Sequence, residues 1–126
     1  MQITIDIESS MPLFAQLTTQ IKRAVQQGDK KPGDALPSIR QLANDLNLNN
    51  KTVAKAYRLL ERDCVIQTRG YRGTYVHPDA QENSLVDLNE LVTEKLTSAI
   101  SALKESGATD SEIRVAFAAI MSSGDA

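Results

Sequence analysis

Histidine and cysteine each occur once in this 126-residue chain, tryptophan does not occur, and phenylalanine and tyrosine together make up only 4% of it. Cys64 alone excludes an intramolecular disulfide and any cysteine cluster able to hold structural zinc. His77 sits beside Pro78 with no evident nucleophile or base to work with, and the same holds for Cys64. The carboxylates of the C-terminal part are spread as solvated helix faces would place them, so catalysis, a metal site and a cofactor are not expected. Long apolar runs are also missing: nothing approaches the roughly 18 residues of a spanning helix. The opening MQITIDIESSMPLF has neither a basic n-region nor a continuous apolar h-region. A cytoplasmic protein with no membrane partner is expected.

What is present is ordinary in amount and uneven in placement. Apolar residues at 41% and charged residues at 24% suit a globular chain with one compact core and an appendage. The net charge of −2 hides a division. Met11 to His77 holds 11 Lys/Arg against 5 Asp/Glu, or +6, whereas Pro78 to Ala126 holds 3 against 9, or −6. A basic module that meets a polyanion, followed by an acidic module with another task, fits this asymmetry.

Ile3, Ile5 and Ile7 alternate with Thr4, Asp6 and Glu8, a period of two that predicts a short half-buried strand. From Pro12 to Gln27 the residues Leu13, Leu17, Ile21, Ala24 and Val25 recur at helical spacing, with Pro12 in the first turn and Gly28 past the end. GDKKPGDALP, from Gly28 to Pro37, reads as a loop. Ser38 and Gln41 form a capping-box pattern ahead of a second helix reaching about Leu46. Asn47-Leu48-Asn49 then makes a tight connection, with Asn49 as N-cap of a third helix from Asn50 to about Arg62. Val65 to Val76, broken by Gly70 and Gly73, reads as a hairpin. His77 to Asn83 reads as a linker, followed by a long amphipathic helix stopped near Gly107 and a second one capped by Thr109 or Asp110.

The third helix separates its residue types. Val53, Ala56, Tyr57 and Leu60 form an apolar face, while Lys51, Lys55, Arg58 and Arg62 lie about 200° away. A helix that enters the major groove needs this division, because one side must bury apolar area while the other delivers cations and donors to phosphates and base edges. Arg69 and Arg72 at the hairpin tip suit the strong negative potential of a narrow minor groove. Arg40, in the first turn of the second helix, is placed to meet a phosphate.

The stretch from Leu36 to Val76, LPSIRQLANDLNLNNKTVAKAYRLLERDCVIQTRGYRGTYV, resembles the DNA-binding domain of GntR-family regulators, most specifically in PGDALPSIRQLA and RGYRGTYV. The short tail is similar to that of the YtrA subfamily. The resemblance implies DNA contacts by Arg40, Asn50, Lys51 and Thr52, and a wing shaped and charged by Gly70 and Arg72. Cys64 departs from the glycine common at its position in the family.

The expected fold is α+β, mainly α: a winged helix-turn-helix over residues 1–77 followed by a two-helix hairpin over 78–126. The expected function is that of a transcription regulator, a repressor, binding an inverted-repeat operator in double-stranded DNA as a homodimer. A winged-helix protein-interaction module is the alternative, and a small-molecule effector is left open. The expected DNA-binding set is Arg40, Asn50, Lys51, Thr52, Lys55, Arg58, Arg69, Gly70 and Arg72. The hairpin exposes Leu85, Leu88, Val92, Leu96, Ile100, Leu103, Phe117 and Ile120 along its apolar sides, more than it can cover itself, and so is expected to dimerise.

Overall fold

The computed structural model describes residues 1–85 and 87–124. Two compact units are present, Met1–Glu90 and the chain from Leu91 onward. The first therefore continues past the His77 boundary expected from the sequence.

Three helices make the body of the first unit: α1 (Leu13–Gln26), α2 (Ile39–Leu46) and α3 (Asn50–Arg62). Their inward faces are the periodic positions. Leu17, Ile21 and Val25 of α1 meet Leu42 and Ala43 of α2 and Val53, Ala56, Tyr57 and Leu60 of α3 in one buried cluster. Each fully buried aliphatic side chain there contributes roughly 1.5–3 kcal/mol. Pro12 precedes α1 as its N-cap residue rather than lying in its first turn, and Gly28, at φ +78°, takes the left-handed conformation after its end.

The expected hairpin forms as β2 (Ile66–Thr68) and β3 (Thr74–Val76), joined by a short 3₁₀ turn at Gly70–Arg72. The predicted loop before α2 also contains a strand, β1 (Ala35–Leu36). It pairs antiparallel with β3, Ala35 opposite Tyr75 and Leu36 opposite Thr74, giving a three-stranded sheet in the order β1-β3-β2. Val65, Ile66 and Val76 carry the sheet into the helical core.

Two further expectations need correction. Residues 1–6 form no strand and join no sheet. Side-chain amides serve instead: Gln20 accepts from the Thr4 amide and donates to the Thr4 carbonyl (2.9 and 2.7 Å), and Gln16 does the same for Asp6 (2.9 Å each). Met1, Ile3 and Ile5 pack against the core as their alternation required, while Ile7 is exposed. The supposed linker contains a one-turn helix, α4 (Ala80–Asn83), whose Ala80 is fully buried. Gln26 then donates to the Ser84 carbonyl (2.6 Å), and Asp87 accepts from the Thr19 hydroxyl (2.7 Å) and from the amides of Asn89 and Glu90 at the start of the next helix.

That helix is α5 (Leu88–Glu105); α6 (Asp110–Ser123) follows it. Gly107, at φ +100°, makes the turn between them, and Thr109 caps α6 in a complete capping box with Glu112. Lys104 and Asp110 form an ion pair across the turn (2.9 Å).

Candidate nucleic-acid interface

The start of α2 is fixed from two directions. Ser38 Oγ accepts from the Gln41 amide (3.1 Å), the first half of the expected capping box. From behind, the buried Tyr57 of α3 donates its hydroxyl to the Pro37 carbonyl (2.6 Å). Burial pushes this phenol up to about 12, so it stays a neutral donor. Arg40 is thereby presented in the first exposed turn of α2. It shares an open cleft of about 540 Å³ with Gln41, Asn44, Asn47 and Asn50.

Asn47 turns the chain sharply between α2 and α3 by adopting φ +56°, a conformation that asparagine tolerates better than most residues. Asn49 Oδ1 then caps α3 through the Lys51 amide (2.8 Å), so Asn50, Lys51 and Thr52 stand in its first turn. Lys51, Lys55 and Arg58 are exposed opposite the buried Val53, Ala56, Tyr57 and Leu60. Lys51, Thr52 and Lys55 line a second open cleft of about 370 Å³ with Leu13 and Phe14 of α1. There the Lys55 ammonium lies 4.0 Å from the centre of the Phe14 ring, a cation–π contact that holds the lysine against the body of the unit.

Arg62 departs from the stripe. Its guanidinium is bound in a fork by its neighbour Asp63 (2.8 and 3.2 Å), and the hydrogen bond raises its already high pKa. Asp63 also accepts from Lys22, which is buried in α1, at 3.0 Å. Arg62 is therefore part of a structural cluster. By contrast Arg40, Lys51, Arg58 and Arg72 have no carboxylate within ion-pairing distance among the described residues. Cations left unpaired at a surface are the ones available to a polyanion.

The wing tip is closed by its own hydrogen bonds. The Arg69 amide donates to the Gly73 carbonyl (2.9 Å) and the Arg72 amide to the Arg69 carbonyl (3.1 Å). Tyr75, on β3, organises both arginines: its ring stacks under the Arg69 guanidinium (4.6 Å), and its hydroxyl donates to the Arg72 carbonyl (2.8 Å). Gly70 adopts φ +60° at the tip, where a side chain would be strained. Between α3 and the wing, Cys64 adopts φ +57°, so it keeps the left-handed turn despite being a cysteine. Its carbonyl accepts from Asn83 (2.9 Å). Phe14 and Tyr75 are not singled out by the sequence, since neither falls on the apolar positions that define the first helix or the third. Their signal was the basic residue each one faces.

The residues expected to dimerise fall in both units. Leu85 and Leu88 lie in the first, Leu85 ahead of α5 rather than in it, and both are exposed. In the second unit no residue of α5 or α6 is buried. Leu96, Ile100, Leu103, Phe117 and Ile120 border an apolar cleft of about 520 Å³ between the two helices, while Val92 is exposed farther up α5.

Residues 13–76 match the family model described as bacterial regulatory proteins, gntR family. The chain belongs to the GntR family. Similar to this GntR regulator is the HTH-type transcriptional repressor YtrA of Bacillus subtilis, 40% identical over 94 residues, or 75% of this chain and 72% of that one. Among solved structures, the GntR-family transcription factor YtrA from Sulfolobus acidocaldarius superposes with a TM-score of 0.59 at 37% identity, over 75% of this chain and 97% of that one. A transcriptional regulator from Oenococcus oeni superposes with a TM-score of 0.59 at 30% identity, over 94% and 98%. These likenesses place the chain with the YtrA-like GntR regulators and their winged-helix fold. No helix among the described residues is long and apolar enough to cross a membrane, and no group of His, Cys, Asp or Glu there is arranged to hold a metal ion.

Proposed function

We propose that this GntR regulator represses transcription by binding an inverted-repeat operator as a homodimer. In this reading α3 enters the major groove, Arg40 rests on the backbone, and the wing arginines follow the minor groove. The observation that carries it is the set of exposed cations without carboxylate partners on α2, α3 and the wing, in a chain whose other basic residues include several held in ion pairs. Asn50 and Lys51, in the first turn of α3, have the side chains for reading adenine and guanine edges. The uncovered apolar cleft between α5 and α6 supports the dimer. A second copy, related by a two-fold axis, would cover it and space two recognition helices for the two half-sites.

Fluorescence anisotropy of labelled duplexes tests this. With an operator selected from a random pool, log affinity should fall linearly with log salt, by about 0.9 per phosphate contact. Arg58→Ala should flatten that slope and weaken operator and random duplex alike. Asn50→Ala should cost about 1–3 kcal/mol on the operator and little on random DNA. Duplex binding that is absent, or indifferent to salt, would replace this reading with that of a protein-interaction module.

A further inference from the structure

One side chain at the wing tip has no part in building the wing. Tyr71 lies between Gly70 and Arg72 in the 3₁₀ turn and is 96% exposed. The turn is closed without it by the backbone bonds among Arg69, Gly70, Arg72 and Gly73 and by the Tyr75 hydroxyl. The other two tyrosines have structural work: Tyr57 is buried and pins Pro37, and Tyr75 stacks under Arg69. An aromatic ring held wholly in water loses its burial energy, and this chain has few aromatics.

We propose that Tyr71 is a further DNA contact of the wing, its ring seated in the minor groove between the positions reached by Arg69 and Arg72. The inference rests on the reading of the wing as DNA-facing. Charge selects the occupant, since an aromatic flanked on both sides by arginine at an exposed tip fits a polyanion with apolar walls. The minor groove offers both, in the phosphates along its rim and the deoxyribose faces within, and apolar side chains are often inserted there beside cationic ones. The ring contributes through shape, favouring the narrow groove of A·T-rich sequence over one lined with guanine amino groups. Left-handed backbone at Gly70 and Gly73 on either side holds the tip in the narrow loop that such an insertion needs.

The absence of tryptophan makes the test direct, because Tyr71→Trp installs the only indole in the chain. The probe is a labelled A·T-rich duplex, with the same duplex carrying 2,6-diaminopurine in place of adenine. That base adds an amino group in the minor groove and leaves the major-groove edge unchanged. In the complex, acrylamide quenching of the Y71W indole should fall several-fold. Tyr71→Ala should lose about ten-fold in affinity for the A·T-rich duplex. Diaminopurine should weaken wild-type binding more than it weakens Y71A. An indole equally quenched in free and bound protein, or an equal diaminopurine penalty in both proteins, overturns the inference. Failure of wild type to bind any duplex would instead refute the proposed function, and this inference with it. Neither substitution removes an intramolecular side-chain contact, so both variants should melt with wild type.

Discussion

Asp63→Ala is the most informative single perturbation of this fold. Lys22 projects from the middle of α1 with 3% of its side chain exposed, and its ammonium lies 3.0 Å from Asp63 Oδ2 at the end of α3. Removing the carboxylate takes the Asp63 ion pair from a buried cation, and deleting one partner of a buried pair costs about 3–5 kcal/mol. A small domain has about 5–15 kcal/mol in all, and each kcal/mol is worth about 4–8 °C in a domain of this size, so the melting temperature should fall by about 12–40 °C. Lys22→Met should cost far less, since Asp63 keeps Arg62 and some access to water. The double variant should recover much of the loss of D63A. Acidity gives a second handle. Burial alone would push the Asp63 carboxyl up, but hydrogen bonds from Arg62 and Lys22 outweigh it and hold the group below the usual carboxylate range. A depressed pKa stabilises fully above the unfolded value of about 3.9 and loses that contribution as pH falls through it toward the folded value. The stability gap between wild type and D63A, measured by urea denaturation, should therefore narrow below about pH 4. A gap under about 1 kcal/mol at neutral pH, the value of an exposed pair, or strictly additive single variants, would refute the reasoning.

Cys64→Gly should stabilise the protein by up to about 1 kcal/mol in urea melts, because relief of left-handed strain exceeds the added unfolded-state entropy. Cys64→Val, with a branched side chain in the same conformation, should destabilise it. Tyr57→Phe removes the 2.6 Å bond to Pro37 and should cost about 1 kcal/mol, with a loss of duplex affinity beyond that of a surface control as the start of α2 loosens. Placing a charge in the apolar cleft by Ile100→Asp with Phe117→Asp should give a monomer in sedimentation. Operator affinity should then drop far more than affinity for random duplex.

Where a sequence signal was local and repeated, it carried through. The caps at Ser38, Asn49 and Thr109 bond as their positions required, and the apolar face of α3 is the buried one. What stayed hidden depended on partners distant along the chain. Ala35 and Leu36 are too few to form a pattern and become a strand only because β3 has a free edge beside them. The opening residues show strand periodicity, yet their partners are two glutamines of a helix, which no strand signal predicts. Arg62 fits the cationic stripe by spacing, and only the fork with Asp63 removes it. Ala80 is a small residue in a polar stretch, and its burial follows from packing on α1.

The glutamine clasp on the N-terminal arm has a dynamic consequence. A strand zipped into a sheet exchanges its amide protons only when the sheet opens, but here the clasp depends on the side-chain torsions of Gln16 and Gln20. Gln16 alone holds the Asp6 amide, the Asp6 carbonyl and the Met11 carbonyl, so one rotation releases all three together. Beyond the clasp, the arm is held among the described residues by the packing of Met1, Ile3 and Ile5 and by the pair between the Met1 amine and Asp29, so it should open at a lower free energy than the helices and the sheet. The amide protons of Thr4, held by Gln20, and of Asp6, held by Gln16, should be far less protected than those of Leu17 or Leu60.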